Sequence, residues 1–309
     1  METRTKKIAK IKAGYGEDCL IVRHKNIYMK RLELKYFKKG KEKSFKEQFE
    51  NGDGNELKKH FWSVNSSSRL CFEMYSWLTD EPEITDIEFE KQLTNIKFAP
   101  KVPNMDTYIE YNDNIVFIEN KFTEKSKLCL SKLPDAYYKE LGEAKNSTKT
   151  KLLHSSLNER YRNTGIEKFI ISFIDKINTK IESSGIKGNS WLDMPQEIKH
   201  LIGIVFEVLN NRYIYENKHI KFYNIYYDFG DRNEEFVDWF FEEAQKMVCA
   251  IFEKFDCKVT FEYKHKTVQE VVEMMPERLA YGSSVLGRMH GSTNKGILNT
   301  FLNNEPIIW

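Results

Sequence analysis

Asp106, Glu119 and Lys121 place two carboxylates and an ammonium within PNMDTYIEYNDNIVFIENKF, a stretch that otherwise reads as two half-buried strands. Carboxylates facing each other across a sheet repel unless something positive lies between them, and hard divalent cations take oxygen ligands of this kind. The chemistry in prospect is a divalent-metal site.

The turn fixes how these groups meet. If Asn112 and Asp113 are its two central residues, Tyr111 pairs with Asn114 and Asp106 with Glu119, whose Cβ atoms would lie about 4.5–5.5 Å apart, with Lys121 on the same face. If the turn slips by one residue, Asp106 faces Lys121 and Glu119 becomes its diagonal neighbour. The Glu-x-Lys triplet carries no weight alone, because it recurs at Glu33, Glu56, Glu143, Glu197, Glu216 and Glu262. Only at Glu119 does it close the second arm of a hairpin that carries an Asp. The competing view is a wet surface hairpin whose Asp106–Lys121 and Glu119–Lys121 ion pairs contribute about 0–1 kcal/mol.

The elements that would position these groups follow from periodicity. NSSSRLCFEMYSWL, from Asn65, offers cap residues and then a stripe of Leu70, Met74 and Trp77, which predicts a helix. Strands are expected at 84–93, 105–111 and 114–122, the last two as a hairpin. Residues 123–190 form a Lys-rich insertion of mixed helix and loop. A helix at 195–210 opens with Pro195 in its first turn, a strand covers 219–229, a helix 234–254 and a strand 258–264. This order gives a mixed α/β or α+β layer structure. Residues 1–60 read as a basic appendage with a boundary near Gly52–Gly54, 61–265 as the core, and 266–309 as a tail.

Composition narrows the classes. With 309 residues, 40% hydrophobic and 30% charged, the chain can bury a sizeable core. Residues 1–50 hold fifteen Lys/Arg against seven Asp/Glu, so the rest is net acidic by six, an asymmetry suited to an anionic partner. Five scattered cysteines argue against a disulfide framework or a zinc ribbon, and the seven histidines, His200 among them, lack zinc-site spacing. Gly14-Tyr15-Gly16 lacks the rest of a dinucleotide loop, and no phosphate loop of nucleotide enzymes occurs. Without a signal-like or membrane-length apolar run, a cytoplasmic protein without membrane association is expected.

Asp106, a hairpin, and then Glu119-Asn120-Lys121 resemble the motif of the PD-(D/E)xK nuclease superfamily, and the element order from Ser66 to Phe229 is similar to its core. SSSRLCFEMYSWL and PNMDTYIEYNDNIVFIENKFTE together resemble a subgroup of bacterial restriction-endonuclease-like proteins. Met105 stands where the short motif has Pro. The resemblance implies an α/β restriction-endonuclease-like fold, a mixed sheet flanked by helices, with Asp106, Glu119 and the Asn120 carbonyl binding Mg²⁺ and Mn²⁺ able to substitute. It implies that Lys121 orients the attacking water and stabilises the scissile phosphate, and that a carboxylate on the first helix, Glu73, completes the site. Glu88 and Glu90 are alternates for that role, and Gln196 and Lys199 are candidates to reach a phosphate. DAYYKE and NERYRN lie where such proteins contact nucleic acid. The expected activity is an endonuclease of restriction or phage-defence type, acting on DNA rather than RNA and as a homodimer for two-strand cutting. The rivals are a non-catalytic nucleic-acid-binding module and a regulatory protein whose basic arm docks an acidic partner.

Overall fold

Residues 84 to 121 build a meander whose last strand is buried on both faces, and beyond it two further strands are added in parallel. The computed structural model describes residues 20–23, 26–29, 42–51, 61, 66–75, 78, 83–93, 103–121, 126–127, 165–185, 189–227 and 234–273. Along the chain these form β1 (Leu20–Arg23), β2 (Asn26–Met29), α1 (Glu42–Asn51), α2 (Ser67–Tyr75), β3 (Ile84–Gln92), β4 (Asn104–Tyr111) and β5 (Asn114–Lys121). There follow β6 (Ser126–Lys127), α3 (Ile166–Ser184), β7 (Asn189–Ser190), α4 (Met194–Asn210), α5 (Arg212–Tyr215), β8 (His219–Tyr226), α6 (Glu234–Lys254), β9 (Thr260–Thr267) and α7 (Val268–Glu273). A five-stranded mixed sheet runs in the order β3-β4-β5-β8-β9, antiparallel through β5 and parallel beyond it. The chain is therefore α/β, with helices on both sheet faces.

The turn between β4 and β5 is Asn112–Asp113, with Asn112 at φ 49°, and Tyr111 pairs with Asn114. Asn tolerates this left-handed conformation better than most residues. Of the two expected registers, the first is present.

One face of the sheet carries Ile115, Phe117, Phe222 and Tyr263 into a core shared with α3, α4 and α6. α6 supplies Phe236, Phe240, Ala244, Met247, Val248 and Ile251 at helical spacing. α4 is buried on almost every side, as a helix enclosed by other elements must be. Its start is capped by Asp193, whose carboxylate accepts from the Gln196 N–H at 3.2 Å, and Pro195 occupies the first turn. Gly203 lets α4 close on the strand ends: a Cβ there would lie 2.6 Å from Leu93 Cδ1 and 3.2 Å from Pro103 Cβ.

The opposite face packs against α1 and α2. Phe45 and Phe49 of α1 lie against Phe72 and Phe89, with Phe49 stacked on Phe89 at 5.2 Å, so this helix of the expected appendage contributes to the hydrophobic interior. Gln48 Oε1 accepts from the Phe89 N–H at 2.9 Å, and Gln245 Oε1 of α6 does the same for the Tyr263 N–H at 2.8 Å. These glutamines occupy outward amides of β3 and β9, the two border strands.

The last strand begins two residues later than expected and runs to Thr267, and α7 falls within the expected tail. The boundary at Gly52–Gly54, the segments DAYYKE and NERYRN, and residues 1–19 and 274–309 lie outside the described residues. No helix among the described residues is long and apolar enough to cross a membrane.

Candidate metal centre

Period-two alternation at the end of β5 divides three consecutive residues between the two faces. Asn120 turns toward α2, where the Tyr75 hydroxyl donates to its Oδ1 at 3.5 Å. Glu119 and Lys121 turn toward α4. Lys121 Nζ donates to Glu119 Oε1 at 2.7 Å and to Gln196 Oε1 at 2.6 Å, and Gln196 Nε2 donates back to Glu119 Oε1 at 2.8 Å. The three side chains form a closed triangle.

Burial decides between the two views of this hairpin. Lys264 and Glu262, with the same spacing and also 2.7 Å apart, have side chains 54% and 43% exposed, whereas those of Lys121 and Glu119 are 7% and 3% exposed. The wet-surface alternative fails here. A buried pair must offset the loss of hydration of both ions, and stability alone is a weak reason to retain one.

Asp106 stands one step beyond the last paired residues of the β4–β5 ladder, Thr107 and Ile118, in register with Glu119. Its Oδ2 accepts from the Asn120 N–H at 2.7 Å. Burial, then the charges of Glu119 and Glu90, push the Asp106 carboxyl well above its ordinary value, despite the opposing pull of Lys121. Burial also raises the Glu119 carboxyl, against Lys121 and Lys199. For Lys121, burial lowers the ammonium, but Glu119, Glu197 and Asp106 outweigh it and hold it protonated.

The further candidates separate. Glu73 lies on α2, and its side chain lies outside the described residues. Glu88 is engaged by Lys91. Glu90 stands at φ 52° within β3, accepts from Ser68 Oγ at 3.0 Å, and bears on Asp106 through its charge. Lys199 acts on Glu119 through its charge.

Two groups escaped the sequence analysis. His200 is 1% exposed, and its Nδ1 lies 3.6 Å from Glu119 Oε2; neither atom has a hydrogen bond. The signal was its spacing of four from Gln196, which puts both on one helix face. Behind them, Glu197 Oε2 accepts from Asn224 Nδ2 at 2.5 Å and the Tyr263 hydroxyl at 2.8 Å. Burial raises the Glu197 carboxyl to about 7.

The donor set fits a hard divalent cation: two carboxylates raised by desolvation, Glu119 enclosed and Asp106 half-buried, and a buried oxygen, Glu119 Oε2, without a hydrogen bond. Among the described residues no group of three or more His, Cys, Asp or Glu side chains is placed to hold a metal by itself. Main-chain oxygen and water would therefore have to complete the shell. No protein-family model, curated protein or solved structure matches the chain.

Proposed function

We propose that the chain is a metal-dependent nuclease that hydrolyses phosphodiester bonds in DNA, an endonuclease of restriction or phage-defence type on a restriction-endonuclease-like fold. The observation that carries this is the gathering of half-buried Asp106 with the enclosed Glu119 and Lys121 at one end of the mixed sheet, two acids and a cation where the exposed Glu262–Lys264 pair shows that nothing in the spacing requires burial.

Asp106, Glu119 and the Asn120 carbonyl would hold Mg²⁺ or Mn²⁺, which supplies an acidified water and neutralises charge developing on the phosphate. The rest belongs to the chain. Lys121 turns its ammonium from Glu119 to a phosphate oxygen, while Gln196 Oε1 keeps it in place. At an effective dielectric of 20 and about 4 Å, this pair is worth about 4 kcal/mol. Water oxygen bonds to phosphorus, one P–O ester bond breaks, and the departing oxygen takes up a proton. The basic amino-terminal region favours a polyanionic substrate, and two-strand cutting would use a homodimer.

The test is nicking and linearisation of circular DNA by wild-type and Glu119→Ala protein, with Mg²⁺, Mn²⁺ or EDTA. Metal-dependent cutting that vanishes in the variant supports the proposal. Salt-sensitive DNA binding without cutting, unaffected by Asp106→Ala, would establish a binding module instead.

A further inference from the structure

Lys168, Ser172, Lys176 and Lys180 of α3 follow one another at helical spacing on one face, and with Trp239 of α6 they line an open groove of about 700 Å³. From Lys168 to Ser183 the lining extends over about 22 Å of helix. Its three lysines stand against a single aspartate, Asp175, in a chain that is net acidic beyond residue 50. Across the groove Glu243 is already met twice, by Lys176 at 2.7 Å and by Lys246 at 2.8 Å. Lys176 is 58% exposed in its pair, so that contact contributes little and exchanges readily for another anion. Trp239 rests against Phe236 with ring centres 5.7 Å apart and carries the Lys180 ammonium over its ring at 5.7 Å. An aromatic surface among ammonium groups suits unpaired bases and their phosphates, whereas a duplex hides its base faces.

The groove leads toward the candidate site. Lys254 lies over Phe169, Lys176 meets Glu243 and Lys180 meets Trp239, so α3 and α6 run antiparallel, with the Lys180 end of the groove beside the start of α6. There Asp238 Oδ1 is 2.8 Å from His265 Nε2, and the His265 ring is 6.0 Å from that of Tyr226, the β8 residue paired with Lys121. We propose that this groove binds an unpaired DNA strand, with phosphates on Lys168, Lys176 and Lys180 and a base against Trp239, so that the substrate is single-stranded where it leaves the site. The base takes the place of the Lys180 ammonium over the indole, and that ammonium turns to a phosphate. This inference rests on the nuclease reading above and narrows the substrate that the site takes.

The test is binding by the full chain in EDTA, which prevents metal-dependent cutting, to a short fluorescein-labelled DNA strand, its blunt duplex and the matching RNA strand. The single DNA strand is expected to bind more tightly than the duplex. Combined Lys168→Ala, Lys176→Ala and Lys180→Ala should weaken it at least about tenfold and lower the slope of log affinity against log salt by about 2, the share of three phosphates on a single strand. Trp239→Ala should weaken it at least about fivefold, and Trp239→Phe, which keeps a ring, should recover most of that loss. Duplex bound as tightly as the single strand, RNA bound more tightly than DNA, or a lysine variant that binds like wild type overturns the groove assignment alone, provided wild type still cuts DNA with metal. Polyglutamate that competes as well as the DNA strand shows that the groove reads charge only, and overturns it too. A wild type that neither binds nor cuts DNA overturns both the groove and the nuclease reading.

Discussion

Asp106 accepts the amide hydrogen of Asn120 at 2.7 Å, so a side-chain oxygen takes over where the β4–β5 ladder ends. Asn at this position keeps an acceptor for that amide and removes a half-buried charge that Glu119 and Glu90 oppose. Asp106→Asn should therefore melt at the same temperature as wild type or higher without metal, yet neither bind metal nor cut. Thermal melts beside calorimetric titration check both halves, and a folded variant that still cuts would contradict the assignment.

Lys121→Ala should lose on two counts. It strands a buried carboxylate, which costs about 3–5 kcal/mol of stability. It also removes the phosphate contact, and about 4 kcal/mol corresponds to roughly a thousandfold in rate. Lys264→Ala, which cuts the exposed pair of the same spacing, should change stability by no more than about 0.5 kcal/mol. Denaturant titration of both variants decides whether enclosure separates the two pairs.

The carboxyls of Asp106, Glu119 and Glu197 are all raised, three groups against the one buried imidazole, His200, whose lowered value works in the opposite sense, so the acids set the sign of the pH response. An acid whose folded value exceeds its unfolded one leaves the folded state binding more protons, so stability falls as pH rises through that interval. For Glu197 the interval runs from the ordinary carboxylate range to about 7. Glu243, lowered by Lys176 and Lys246, acts below it. In EDTA the protein should melt at a higher temperature at pH 5 than at pH 8, and divalent metal should restore stability mainly at pH 8. Metal-free stability that climbs between these pH values would count against the buried acids.

Glu90 combines a left-handed backbone with a charge that opposes Asp106. A non-glycine residue held there stores about 1–3 kcal/mol of strain, which glycine relieves. Glu90→Gly should thus equal or exceed wild type in stability while weakening metal binding, whereas a merely structural Glu90 would show lower stability and unchanged affinity.

Strand periodicity was legible in β3, which alternates in burial, whereas β5, buried on both faces, was read from its unbroken apolar run IVFI, and α6 was bounded correctly at both ends by its apolar stripe and acidic start. The register was not, since both turn positions offer residues that accept positive φ, and only Asn112 at φ 49° resolves it. α1 was hidden because Phe45 and Phe49 sit in a run of charges and find their partners only in the folded sheet. The surroundings of the candidate site were least visible. Glu197 meets Tyr263 from 66 positions away, and His200 reaches Glu119 from another element, contacts that no local pattern records.

The glutamines at the two borders of the sheet have a consequence for assembly. An unpaired border amide is a template on which a second chain can add a strand, and many proteins aggregate by that route. Gln48 and Gln245 already answer such amides, on Phe89 and Tyr263, with side chains anchored in helices. Strand-by-strand growth is thereby discouraged on both sides, and two copies that associate would meet through helical or loop surfaces, leaving each sheet five strands wide.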